Sequence, residues 1–123
     1  MKKDLKDRTK QFAIDCWEFC SKVPKSREHN AFVNQLIRSS SSVGANYRAS
    51  QRAKSSADFI NKLKIVEEEV DESMYWLEMF KSILSENHNE IEKLHVEGNE
   101  ILSIIVSSIK TAKKNKANLE VRS

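Results

Sequence analysis

The sequence predicts an all-α protein, an antiparallel up-down-up-down four-helix bundle, and three observations carry that prediction. Apolar residues recur at three- and four-residue spacing through four successive stretches. The links between those stretches are short, so neighbouring helices must run antiparallel. Two Gly and one Pro in 123 residues are too few for the turns of a β protein. Charged residues at 32% beside 39% hydrophobic residues suit amphipathic helices around one core. The length fits a single domain, placed at residues 1–115, with 116–123 expected to fray as a basic tail.

The first helix is expected from about Asp4 to Lys22, where Leu5, Phe12, Cys16, Phe19 and Val23 keep helical spacing and Pro24 supplies the stop. The second runs from about Glu28 to Arg52 with Phe32, Leu36, Ser40, Val43 and Tyr47 inward. Its centre, Ser39-Ser40-Ser41-Ser42-Val43-Gly44-Ala45, has a linker's composition, yet periodic apolar residues flank it on both sides. A continuous helix follows, whose small side chains let another helix approach closely. The third helix, Ser55 to Leu84, opens on a Ser55/Asp58 capping pair. Asn87 and Glu90 are expected to repeat that device before a fourth helix carrying Ile91, Leu94, Gly98, Ile101, Leu102, Ile105, Ile109 and Ala112 on one face.

The third helix is apolar along two edges. Its inward stripe reads Phe59, Leu63, Val66, Val70, Met74, Leu77, Phe80 and Leu84. At about 100° per residue, Ile65, Trp76, Met79 and Ile83 fall opposite that stripe, where a lone bundle would leave them in water. These four residues are therefore the predicted subunit contact of a homo-oligomer. Ile14 and Trp17 form a second off-core pair on the first helix, assigned equally to a broad core stripe or to an interface.

Charge is segregated along the chain. Residues 1–64 carry 14 Lys/Arg against 6 Asp/Glu, residues 65–109 carry 2 against 11, and residues 110–123 carry 5 against 1. Arg38, Arg48 and Arg52 ride the outer side of the second helix beside Ser41, Ser42 and Ala45, and Lys54, Lys62 and Lys64 extend the positive charge. A row of guanidinium groups among small residues suits successive phosphates of RNA or DNA. Two other readings stand beside it: pairing with Glu68, Glu69 and Glu72 of an adjacent subunit, and plain solvation. Aromatic residues do not interleave with these cations, which argues against a stacking platform for single strands.

The stretch Gln35-Leu36-Ile37-Arg38-Ser39-Ser40-Ser41-Ser42-Val43-Gly44-Ala45-Asn46-Tyr47-Arg48-Ala49 resembles a known family. So do Asp58 to Glu69 and Glu72-Ser73-Met74-Tyr75-Trp76-Leu77-Glu78. The family is that of small bacterial four-helix-bundle proteins first recognised as reading frames within intervening sequences of 23S rRNA genes. The resemblance implies an up-down bundle, often a ring-like homopentamer, without known catalysis. It also implies kinship with accessory proteins of diversity-generating retroelements, which use a similar barrel to bind nucleic acid and a reverse transcriptase. Many relatives carry an acidic residue shortly after the position of Arg48, where this chain has Ala49-Ser50.

Catalytic and cofactor patterns are missing from the sequence. Glu92 and His95 have the Glu-x-x-His spacing of di-iron bundles, but a second such motif is lacking, so no metal and no cofactor are expected. Cys16 and Cys20, one turn apart, read as reduced core residues. Ser39 to Ser42 have no neighbouring base in the sequence pattern. No signal-peptide core or membrane-length run is seen, so the expectation is a cytoplasmic protein without a membrane partner. The function expected is a non-enzymatic homo-oligomer that binds RNA or DNA. The alternative is a protein–protein adaptor whose arginines serve assembly.

Overall fold

The computed structural model describes residues 4–122, with the side chain of residue 122 left out. Four helices follow one another: α1 (Leu5–Cys20), α2 (Arg27–Ser50), α3 (Ser56–Ile83) and α4 (His88–Arg122). Each packs on its neighbours in the chain, and α1 closes the bundle against α4, while the diagonal pairs stay apart. This is the predicted up-down-up-down arrangement.

Three helices start on the side-chain oxygens the sequence offers. Asp4 accepts from Asp7 N at 2.8 Å, Ser26 from His29 N at 2.9 Å and Ser55 from Asp58 N at 3.1 Å. Asp58 reaches back to Lys54 N at 3.1 Å, completing the expected reciprocal cap one residue further out. The start of α4 differs from expectation. Asn87 carries the turn itself with φ 65, a left-handed conformation that Asn tolerates better than most residues, and Glu90 pairs with Lys22, just past the end of α1, at 2.9 Å. Beyond Ala112 the helix continues to Arg122, where fraying was expected. The segment Lys113–Val121 contains neither Gly nor Pro, so nothing in its backbone stops propagation.

The serine run of α2 is helical because its hydroxyls turn back onto the helix. Ser39 donates to Gln35 O (2.9 Å), Ser41 to Ile37 O (2.7 Å) and Ser42 to Arg38 O (2.9 Å). Their small size has the predicted consequence. A Cβ on Gly44 would meet Thr9 Oγ1 at 3.3 Å and the Lys10 backbone N at 3.5 Å, so α1 and α2 nearly touch here.

Phe12, Phe19, Leu36, Val43, Leu63, Val66, Leu77, Phe80, Ile91, Ile101 and Ile105 form the fully buried centre. Phe19 and Phe80 meet edge to face, with centroids 5.5 Å apart. At the start of α3, Ile60 is buried while Phe59 is partly exposed, so the inward stripe begins one residue later than the sequence pattern suggested. Cys16 and Cys20 are buried thiols, and burial pushes the Cys20 pKa up to about 12, which keeps both protonated and unreactive. Replacing Gly44→Leu should splay α1 from α2 and destabilise the fold by about 1–3 kcal/mol, measured as a lower denaturation midpoint. An unchanged midpoint would show that the close approach carries no constraint.

Candidate nucleic-acid and subunit interfaces

The predicted cations separate into groups once the helices are in place. Arg38 crosses from α2 to α3 and bonds Glu69 at 3.0 Å and Glu72, both in its own chain. The pairing expected between subunits is thus made within one protomer, because Glu69 and Glu72 flank the edge of α3 that packs on α2. Lys62 pairs with Asp58 one turn earlier at 2.6 Å. Arg48 is exposed and lies beside Lys6 and Lys10 on the α1–α2 face.

Arg52, Lys54 and Lys64 remain at the end of the bundle where α2 turns into α3, and none makes an ion pair among the described residues. The sequence reading missed what joins them there. Because α4 runs antiparallel to α3, its last turns return to this end, and Lys113 and Lys116 border the same hollow as Lys64. A groove of about 960 Å³ lies alongside, between the α2–α3 link and α4, with Lys54, Ser55, Ser107, Ser108 and Asn115 on its walls. The basic run 110–116 was legible as composition. Only the antiparallel register shows which cations it meets.

The outer edge of α3 is also rearranged. Ile65 and Ile83 are exposed as predicted, and Met79 is half-buried. Trp76 is not on that outer edge. Its ring packs on Phe32 of α2 with centroids 5.2 Å apart, and its Nε1 donates to Glu72 at 3.1 Å. The sequence pattern set it opposite the inward stripe, whereas it stands only about 100° from Leu77 of that stripe. A side chain of that length covers the distance when the neighbouring helix presents a ring. Tyr75, exposed and edge-on to Trp76, takes the outward position instead.

Acidic residues of α3 and α4 are largely engaged in cross-helix pairs. Arg8, mostly buried, holds Glu97 and Glu100, and the hydrogen bond to Glu97 raises its pKa against the cost of burial. Lys81 pairs with Glu92, and His95 Nε2 lies 2.8 Å from Glu78. Glu92 and His95 therefore sit on the outer α3–α4 seam. Among the described residues no group of three or more His, Cys, Asp or Glu is placed to hold a metal ion. None of the described helices is long and apolar enough to cross a membrane.

The family model for the 23S rRNA-intervening sequence protein matches residues 2–107. The chain belongs to that family. A crystal structure of a protein of unknown function from the S23 ribosomal protein family of Bacteroides thetaiotaomicron is similar, with 32% identity and a TM-score of 0.80. The match covers 87% of this chain and 99% of that one. No curated protein matches the chain at a significant level. Family membership and fold thus agree with the resemblance carried by the Ser-Val-Gly-Ala-Asn-Tyr-Arg stretch.

Acid should act through Glu72. The hydrogen bond from Trp76 and the pairing with Arg38 hold its carboxyl below the ordinary 4.5. A carboxyl with a lower pKa folded than unfolded stabilises above its unfolded value and loses that contribution as pH falls through the folded one. Stability should therefore drop as pH falls below the ordinary 4.5, and Glu72→Gln should be less stable at neutral pH with a flatter slope in that acid range. Denaturant midpoints against pH check this; parallel profiles for the two proteins would exclude Glu72 as the titrating group.

Proposed function

We propose that this family member is a non-enzymatic, homo-oligomeric bundle that binds the phosphates of RNA or DNA through its basic end. The observation that carries the reading is the meeting of Lys64 with Lys113 and Lys116 around one hollow, with Lys54 on the adjoining groove; among the described residues only Lys116 has an ion-pair partner, Glu120 at 4.0 Å. Cations that outnumber the one carboxylate beside them, Glu120, repel one another, and a polyanion relieves that repulsion while releasing its own counterions. The groove beside them is walled by hydroxyl and amide side chains, which suit sugar–phosphate oxygens. Phe59, partly buried in that groove, is a poor stacking surface, which favours a structured or duplex backbone over a stacked single strand. A pentamer is the assembly that the family resemblance implies. The non-enzymatic reading is supported by the serine hydroxyls of α2, which turn onto backbone carbonyls rather than toward a base.

The alternative is an adaptor whose arginines serve assembly, with no nucleic acid bound; Arg38, tied to Glu69 and Glu72 inside the protomer, is taken from either role. Binding to a structured RNA and to a DNA duplex at rising salt separates the two. For phosphate contacts, log K should fall linearly with log salt, and Lys54→Ala/Lys113→Ala/Lys116→Ala should reduce the slope by about 1 per lysine removed. Absence of binding at low salt by the assembled protein would leave the adaptor.

A further inference from the structure

The α1–α2 face and the outer edge of α3 are complementary surfaces that no contact within the protomer uses. On the first, a groove of about 540 Å³ runs between the helices where Gly44 brings them together. Lys6, Lys10 and Arg48 outnumber Asp7 and make one end net basic, with Ser41 and Ala45 as a low floor. The other end closes on Ile14, 38% exposed, and one turn further along α1, beyond the groove, Trp17 is 61% exposed. On the second, Glu68 and Asp71 are exposed, and neither has an ion-pair partner among the described residues. One turn on come Tyr75 at 52% exposure, half-buried Met79 and Ile83 at 45%.

We propose that the outer edge of α3 from one copy of this chain docks in the α1–α2 groove of the next. This rests on the homo-oligomeric reading above and names the surfaces that make it. The order of chemistry along the two helices supports the docking. Laid parallel, Glu68 falls beside Lys6, Asp71 beside Lys10, Tyr75 beside Ile14 and Met79 beside Trp17, an offset of 61–62 residues throughout. Lys6, Lys10, Ile14 and Trp17 share one face of α1, and their four counterparts share one face of α3. Charge meets opposite charge, and apolar meets apolar, in a single register. The antiparallel alternative sets Glu68 against Trp17 and Met79 against Lys6.

The direction of docking fixes the kind of assembly. In an up-down-up-down bundle α1 and α3 point the same way. A parallel contact between α3 of one copy and α1 of another therefore leaves both bundles pointing the same way. The two surfaces differ, so the contact is heterologous and repeats head to tail, which gives a cyclic ring when the rotation closes.

Light scattering on size-fractionated protein tests this, with helical circular dichroism confirming that each variant is folded. The wild type should run at a multiple of 14.2 kDa. Lys6→Glu/Lys10→Glu and Glu68→Lys/Asp71→Lys should each fall to the monomer mass, as should Ile14→Glu on the apolar half. Combining both charge swaps in one chain should restore the multimer. Single-face variants that keep the wild-type mass would overturn this interface while leaving a homo-oligomer standing. So would a fourfold swap that stays monomeric although folded. A wild type that is monomeric at high concentration would overturn the interface and the homo-oligomeric reading together. Lys6 and Lys10 stand at the same end of the bundle as Arg52 and Lys54, so nucleic-acid binding is read with the Ile14→Glu variant, which leaves every cation in place.

Discussion

The register in which α3 lies against α2 is the constraint on which the other features depend. Ser39 and Ser73, both fully buried, meet across the seam, with Ser73 donating to Ser39 at 3.0 Å and Ser39 donating back to Gln35 O. Each hydroxyl also has a carbonyl of its own helix within reach, Gln35 O for Ser39 and Glu69 O at 2.8 Å for Ser73, so slippage would cost the cross-seam bond and the close small-residue contact rather than strand either group. The same register sets Arg38 between Glu69 and Glu72, and Trp76 on Phe32. Glu72 accepts from both the indole and the guanidinium, so the ion pair and the aromatic contact stand or fall together.

Much of this fold was legible because helical periodicity reports burial directly. The broad apolar face of α4 and the continuity of α2 through four serines both follow from spacing. What was misread concerns edges. Trp76 and Arg38 each sit about a quarter turn from a core face, and a wheel drawn for one helix contains no neighbour to claim them. Phe32 claims the indole and Glu69 the guanidinium. Asn87 was misread for a related reason: an Asn before a helix serves as a cap or as a left-handed turn residue, and composition does not separate the two.

The candidate site was less legible than the fold, because it is made of residues far apart in sequence. Two basic blocks separated by an acidic one read along the chain as a striped molecule. Antiparallel packing converts the stripes into a polar object. The last turns of α4 return beside the start of α3, and Lys64, Lys113 and Lys116 become neighbours. The acidic middle block is spent mainly on holding helices together, with Glu97 and Glu100 on Arg8, Glu90 on Lys22 and Glu92 on Lys81. Glu68 and Asp71 are spared from that network.

A cyclic assembly of parallel bundles would tie the two interfaces to each other. If α1 and α3 of adjacent copies run the same way, every α2–α3 turn and every α4 C-terminus lies on one rim. The basic ends of all copies then share a surface, and their mutual repulsion opposes closure. Phosphates bound along that rim would neutralise the repulsion, so nucleic acid and assembly favour one another by linkage, and each strengthens the other's apparent affinity by the same factor. Several weak basic ends on one rim also act together on a polyanion, because the first contact raises the effective concentration of the rest. Low salt lengthens the range of the repulsion and strengthens each phosphate contact at once. An unliganded ring of this kind would therefore be under most strain in the conditions where a polyanion would bind it best.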